Sequence, residues 1–536
     1  MKLQLKDLKE RKVWEAKGYR LPHFDHAAMV ENTVKAPVWI HFGAGNIFRG
    51  FPAMLMQRLL EAGLSDKGIV VGEGFDYEII DDIYKPHDNL SLLVTLKSDG
   101  TITKDVVASV AEAMKCDSSF GEEWKKFQSA FASPSLQMVS YTITEKGYGL
   151  KGKDGAYFPF VQSDLENGPD GKLGSMMSKT VALVYHRYLT GGAKLALCSF
   201  DNCSHNGEKL QNAVMSIANE WVSRGFCKKG FIEYLEKDVS FPWSMIDKIT
   251  PRPDAKVTAM LEKDGFEDTK VVVTGKNTYI APFVNAEEPQ YLVVEDHFPN
   301  GRPALEKAGV YFTDRDTVNK VEKMKVCTCL NPLHTALAIY GCLLSYTLIA
   351  DEMKDDDLRK LVDIIGYKEG MPVVVDPKIL NPKKFIDEVL GVRIPNPFMP
   401  DTPQRIACDT SQKLSIRYGE TIKAYQADKK LSLSDLKMIP LVFAGWCRYL
   451  MGVDDQGNAF EPSPDPRLSE MRAYLKDVKL GDKGPFEALL HPILSDKTLF
   501  GVDLYACGLA PLVVQYFTEL VAGPGAVRKT LRKYVK

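Results

Sequence analysis

Apolar positions in the first half of the chain come in short unbroken runs, whereas those in the second half recur at helical spacing. Val38-Trp-Ile-His-Phe42 is an apolar run that stops at the turn Gly43-Ala-Gly45-Asn46-Ile47-Phe-Arg49-Gly50. Pro52-Ala-Met-Leu-Met-Gln-Arg-Leu-Leu60 then reads as a helix, proline being tolerated in a first helical turn, and Gly63 ends it. Gly68-Ile-Val-Val-Gly72 is a second short buried strand. Strand, turn, helix and strand in that order open a doubly wound α/β sheet. Further strands are expected at Leu136–Ile143, Leu195–Ser199 and Lys270–Thr274, with a long loop over 147–175, which is rich in Gly, Asp and Pro.

After about residue 285 helical patterns dominate: Val326–Met353, Asp356–Gly366, Pro382–Leu390, Ser432–Leu450, Pro485–Leu490 and Gly508–Val521. Proline-rich connectors separate them, notably Arg393 to Pro403. The expected architecture is a dinucleotide-binding domain of Rossmann type over 1–285, followed by a mostly α-helical substrate and catalytic domain over 286–536.

With 536 residues the chain is long enough for two or three domains with sizeable cores. A net charge of -2 gives no reason to expect nucleic acid or a membrane surface as partner. The ten cysteines show no C-x-x-C pair, which favours reduced thiols in a cytoplasmic protein and offers no zinc-ligand cluster, so no metal site is expected. The first nineteen residues are charged throughout, and no signal peptide is expected. Val326 to Ala350 lacks Asp, Glu, Lys and Arg and is long enough to span a bilayer, but it contains Asn331, Pro332 and His334 and reads as a buried core helix. The basic tail Arg528–Lys536 reads as a solvated helix end.

Gly43 and Gly45 stand where a dinucleotide turn bends tightly and where its backbone must approach a pyrophosphate. The spacing is G-x-G-x-x-x-R-G, with Arg49 as a candidate cation for the phosphates. Glu73, with Asp76 as runner-up, occupies the place of the acid that accepts from the adenosine ribose and repels a 2′-phosphate, favouring NAD over NADP. At the chemical end, Lys325, Asn331 and His334 fall within KVCTCLNPLH. Oxidising a secondary alcohol needs a base and donors for the developing oxyanion, and lysine and asparagine suit those tasks. Asn331 and His334, three residues apart, share a helix face. A satisfied core histidine is the alternative reading of His334.

These residues and others resemble the polyol-specific long-chain dehydrogenases, the mannitol dehydrogenase family, over roughly Pro37 to Val527. The resemblance rests on the Gly43–Gly50 turn, Thr144-Glu-Lys-Gly-Tyr148, Asp201-Asn202 with Asn206-Gly207, Phe241 to Pro251, Glu295-Asp-His-Phe298 with Gly301-Arg-Pro303, Asn331-Pro-Leu-His334, and Arg405 to Lys413. It implies NAD as cofactor, a zinc-independent mechanism, Lys325 as general base, Asn202 and Asn331 as oxyanion donors, and His334 as a substrate-orienting group. Asp247, Arg405 and Lys413 would line the substrate pocket.

Two positions depart from the family pattern. Lys325 precedes Asn331 by six residues where the family has five, which turns it roughly 100° away on an ideal helix. A π-bulge, which Pro332 would encourage, restores the face; Lys323 is the competing base. Lys248 stands where arginine usually follows the aspartate, losing a bidentate fork.

Within the family the favoured expectation is interconversion of a keto-hexuronate and an aldonate (D-fructuronate and D-mannonate), ahead of mannitol 2-dehydrogenase and then tagaturonate reductase activity. A non-catalytic sensor of nucleotide and sugar acid, and a zinc alcohol dehydrogenase, are the rivals from other classes.

Overall fold

The computed structural model describes residues 1–399 and 401–536. Pro400, inside the expected proline-rich connector, lies outside the described residues. The chain forms two compact units, Met1–Asn319 and Lys320–Lys536.

The first unit is built on β1 (Trp39–Phe42), α1 (Asn46–Gly50), α2 (Pro52–Glu61), β2 (Ile69–Glu73), β3 (Val110–Lys115), β4 (Met138–Tyr141), β5 (Leu195–Ser199) and β6 (Val239–Ser240). The six strands are all parallel, in the order β3-β2-β1-β4-β5-β6. Ile40 is opposite Val70 on one side and Val139 on the other. Every residue of β1, β2, β4 and β5 is buried, because helices cover both faces of the sheet. That burial explains unbroken apolar runs rather than alternation. His41 fits this setting without charge: its ring lies between Ser140 Oγ at 2.6 Å and Thr142 Oγ1 at 2.8 Å, and burial pushes its pKa down to about 3.

The strand order reverses between β1 and β4, so the crevice beyond their C-terminal ends is the expected ligand site of such a sheet. The fold is therefore the Rossmann-type α/β arrangement read from the sequence.

Three sequence expectations need correction here. The boundary at 285/286 falls inside the strand Phe283–Glu287, which pairs in parallel with Ser91–Leu96. Tyr291–Glu295 pairs with Ser244–Asp247 and with Tyr311–Thr313, so these segments belong to the first unit and the division comes at Asn319/Lys320. Non-local strand pairing leaves no compositional mark at such a boundary. The 147–175 loop contains a helix, Pro159–Asn167, which seats Val161 and Leu165 in the core. The expected strand at Lys270–Thr274 is reduced to Val272–Val273.

The second unit is helical, centred on α3 (Asn331–Leu343), α4 (Met438–Leu450) and α5 (Ala510–Leu520), with α4 packed against both of the others. All residues of α4 are buried. Gly445 makes room for the Tyr340 ring, since a Cβ there would meet it at 2.7 Å, and the Tyr340 hydroxyl donates to the Leu441 carbonyl at 2.7 Å. The helical run Arg315–Leu343 is long and apolar enough to cross a membrane by length and composition, but 78% of its apolar window is buried inside the protein.

The single helix expected over Val326–Met353 is broken. A π-helical turn, Lys325–Cys329, precedes α3, and Ser345 in the left-handed region (φ 62°) separates α3 from Ile349–Glu352. The basic tail is helical over Ala526–Tyr534, and Arg528 is not merely solvated: it pairs with Asp355 at 2.6 Å and Asp357 at 2.8 Å.

Candidate active site

In the first unit, a cavity of about 510 Å³ opens at the C-terminal ends of β1, β2 and β4, walled by Gly43, Gly45, Glu73, Asp76 and Thr142 among others. Gly43 has φ 105°, and a Cβ on it would lie 2.1 Å from the Thr142 carbonyl oxygen, so the turn admits only glycine. A Cβ on Gly45 would meet no protein atom within 4 Å, which leaves the backbone open on that side.

Glu73 holds this turn from below. One carboxylate oxygen accepts from the Ala44 amide at 2.9 Å, the other from Phe75 at 2.9 Å and Asp76 at 3.1 Å. Burial raises its pKa against the pull of those three amides. The ribose role expected first for Glu73 therefore needs correction, because both oxygens are engaged by backbone. Asp76 has the free acceptor: Oδ2 takes the Thr274 hydroxyl at 2.6 Å, while Oδ1 is buried with no hydrogen-bond partner among the described residues.

Arg49 is also corrected. Its guanidinium is buried, donating to the Ala281 carbonyl at 2.8 Å and to Asn46 Oδ1 at 2.9 Å, and it does not line the cavity. Asn46 is held by Arg49, Ile47 packs against the core, and neither lines the cavity. A glycine turn at the sheet's switch point, an open flank at Gly45 and an orphaned carboxylate oxygen on Asp76 together fit a dinucleotide.

The loop after β5 is anchored by Asp201. Its carboxylate accepts from the Thr144 amide at 2.8 Å, the Ile143 amide at 3.0 Å and the Tyr148 hydroxyl at 2.6 Å. Asn206 ties the same loop to Ser199, Asp201 and Ser244. Asn202, exposed, thus stands at the C-terminal edge of the sheet, where the cavity also opens. Asp247 is the buried last residue of Ser244–Asp247. Lys248 donates to the Glu287 carbonyl at 2.8 Å and to Gln290 at 2.9 Å, engaged by its own unit.

In the second unit, Lys325 is 3% exposed and begins the π-helical turn, whose wide ring closes from the Leu330 amide to the Lys325 carbonyl at 3.1 Å. Regular bonding resumes from His334 to Leu330 at 3.1 Å. The ring takes up one residue, as the six-residue spacing required. Lys323, by contrast, is exposed.

Asn331 and His334 occupy the first turn of α3. Burial lowers the His334 pKa to about 4; Arg393, Arg417 and Arg405 push the same way and Asp401 opposes them. Arg405 is exposed and forms a fork with Asp401, at 2.7 and 2.6 Å. Lys413 donates to the Cys408 and Ile406 carbonyls, and burial lowers its pKa. His334 thus lies near Arg405, with Lys413 beside that arginine, and Arg393, Arg417 and Asp401, which sequence reasoning missed, join them. One signal was available: Arg417 follows Lys413 by four residues, one helical turn along the same face. Glu352, another acid near Asp401, is buried without a partner for either oxygen among the described residues, and burial raises its pKa well above the ordinary range.

Among proteins of known identity, the chain is 54% identical over 537 residues to a D-mannonate oxidoreductase of Thermotoga maritima, covering 100% of this chain and 99% of that one. In structure it resembles a D-sorbitol dehydrogenase in substrate-free form (TM-score 0.78, 25% identity, 97% and 98% of the two chains). It also resembles the Pseudomonas fluorescens mannitol 2-dehydrogenase, solved with NAD and D-mannitol (TM-score 0.73, 24% identity, 99% of each chain). The mannitol dehydrogenase Rossmann domain matches residues 38–307 and the mannitol dehydrogenase C-terminal domain residues 317–519. With its glycine turn and its cation-ringed helix head falling within those two matches, the chain belongs to the mannitol dehydrogenase family of oxidoreductases.

Proposed function

We propose that this protein is a D-mannonate oxidoreductase, interconverting D-mannonate and D-fructuronate with NAD(H). The observation that carries the reading is the cluster of cations near His334, where Arg405 and Arg417 lie with Asp401, and beside them Lys413 with Asp409. A sugar acid supplies an anion to such a field, which a neutral polyol does not. The relative from Thermotoga maritima, named for this reaction, supports the same reading.

The dinucleotide would be held by the Gly43–Gly45 turn and Asp76, and when bound it supplies the hydride acceptor or donor. Asp76 Oδ1 is the acceptor suited to an adenosine ribose hydroxyl, and its charge disfavours a 2′-phosphate, which favours NAD over NADP. Lys325 takes the proton from the substrate hydroxyl oxygen during oxidation and returns it during reduction. The carboxamides of Asn331 and Asn202 donate to that oxygen as negative charge builds on it. His334, held neutral by its surroundings, orients a neighbouring hydroxyl, and Asp247 accepts from another.

The test is absorbance of reduced nicotinamide with purified protein and a panel of D-fructuronate, D-tagaturonate and D-fructose. D-Fructuronate is expected to lead in kcat/KM over the neutral ketose by at least about tenfold, the worth of one charge-assisted contact. Equal or better use of D-fructose, or no turnover at all by folded protein, rejects the reading.

A further inference from the structure

Arg393, Arg405 and Arg417 lie near His334, with Lys413 beside the last two, and of these four cations three are engaged or enclosed. Arg405 is forked onto Asp401, Lys413 is turned onto two carbonyls of its own loop, and Arg393 is buried. Arg417 differs. It lies in the π-helical turn Ser415–Gly419, and its amide donates to the Lys413 carbonyl at 3.0 Å. Its guanidinium makes one hydrogen bond, from Nη1 to Thr335 Oγ1, and no carboxylate among the described residues pairs with it.

Thr335 in turn donates to the Asn331 carbonyl at 3.0 Å, so the guanidinium is tethered to the very turn of α3 that carries Asn331 and His334. Arg417 is partly buried, and burial lowers its pKa to about 10.

We propose that Arg417 is the residue that receives the substrate's carboxylate, and so sets the preference for a sugar acid over a neutral sugar. This rests on the function proposed above and adds its recognition element. A guanidinium with one N–H on Thr335 keeps donors for a two-pronged contact to a carboxylate, a geometry that a carbonyl or hydroxyl cannot match. Arg405, already matched by Asp401, instead shapes the field around His334.

The experiment compares D-mannonate with D-mannonamide, its neutral counterpart, in the wild-type protein and in Arg417→Gln and Arg417→Lys, with NAD present. For Arg417→Gln, the KM of D-mannonate is expected to rise about 10- to 100-fold while kcat stays within a few-fold. The inhibition constant of D-mannonamide should not move, and Arg417→Lys should recover part of the loss. Acid and amide weakening together would show a merely structural role and overturn the proposal, as would no effect on either.

Should Arg417→Gln fail to fold, the wild-type crystal structure with NAD and D-mannonate decides. A carboxylate oxygen within hydrogen-bond distance of the Arg417 guanidinium supports the proposal, and a carboxylate bound elsewhere overturns it. If wild-type protein neither turns over nor binds D-mannonate, the proposed function itself falls and takes this inference with it. Normal wild-type turnover with insensitivity to Arg417 rejects the inference alone.

Discussion

Lys325 is a buried amine at the start of a π-helical turn, while Lys323, two residues earlier, is exposed. A base that exchanges a proton with substrate has to be held in place, which favours Lys325. Replacing it, as in Lys325→Met, is expected to lower kcat by roughly 10²- to 10⁴-fold, the usual contribution of a positioned acid or base, without changing the dissociation constant of NADH. Steady-state kinetics with a fluorescence titration of NADH measure both; a variant keeping more than about a tenth of the wild-type kcat would rule the role out. The same scale shows what side-chain identity alone leaves open. Glu73 and Asp76 were both readable as ribose acids, and only their partners separate them: Glu73 is spent on three backbone amides and Asp76 keeps a bare oxygen. Arg49, legible as a phosphate ligand, turns inward to the Ala281 carbonyl.

Among the elements, α1 and α2 with the strands beside them were legible because parallel buried strands and an amphipathic helix leave strong local patterns. The head of α3 was legible in a different way: a spacing one residue too long implied a widened turn, and the turn is there over Lys325–Cys329. The start of α4 was not. Its first amides are capped by Glu369, 68 to 70 residues away, which accepts from Lys437 at 2.7 Å, Met438 at 2.6 Å and Ile439 at 2.9 Å. Burial outweighs those amides and raises the Glu369 pKa from 4.5 to about 7. A carboxyl whose folded pKa is raised favours the folded state below its unfolded pKa, and that contribution is lost as pH climbs through the folded value. Wild-type protein is therefore expected to lose stability relative to Glu369→Gln between about pH 4.5 and 7, in urea unfolding at constant ionic strength. A stability difference that stays flat across that window, or runs the other way, contradicts this account.

At the scale of the molecule, the cofactor residues Gly43, Gly45 and Asp76 lie in the unit Met1–Asn319, and the cations about His334 lie in Lys320–Lys536. A ligand that binds only the folded state stabilises it by mass action, by about 2.7 kcal/mol at a hundred times its dissociation constant. Saturating NADH is thus expected to slow amide hydrogen exchange of Gly43–Glu73 and Thr142–Thr144. Mass-spectrometric exchange showing no added protection in either segment would count against the cavity as the cofactor site. The sequence by itself determined the Rossmann-type sheet, the helical second half and the glycine turn, because buried strands, helix faces and a glycine turn are written in residues near one another. Tertiary structure alone decided where the first unit ends, which acid keeps an unpartnered oxygen and, among the described residues, that Arg405 has a carboxylate partner while Arg417 has none. Each of these depends on groups remote in sequence meeting in space, where burial and hydrogen bonding, not residue type, set a side chain's free capacity to bind.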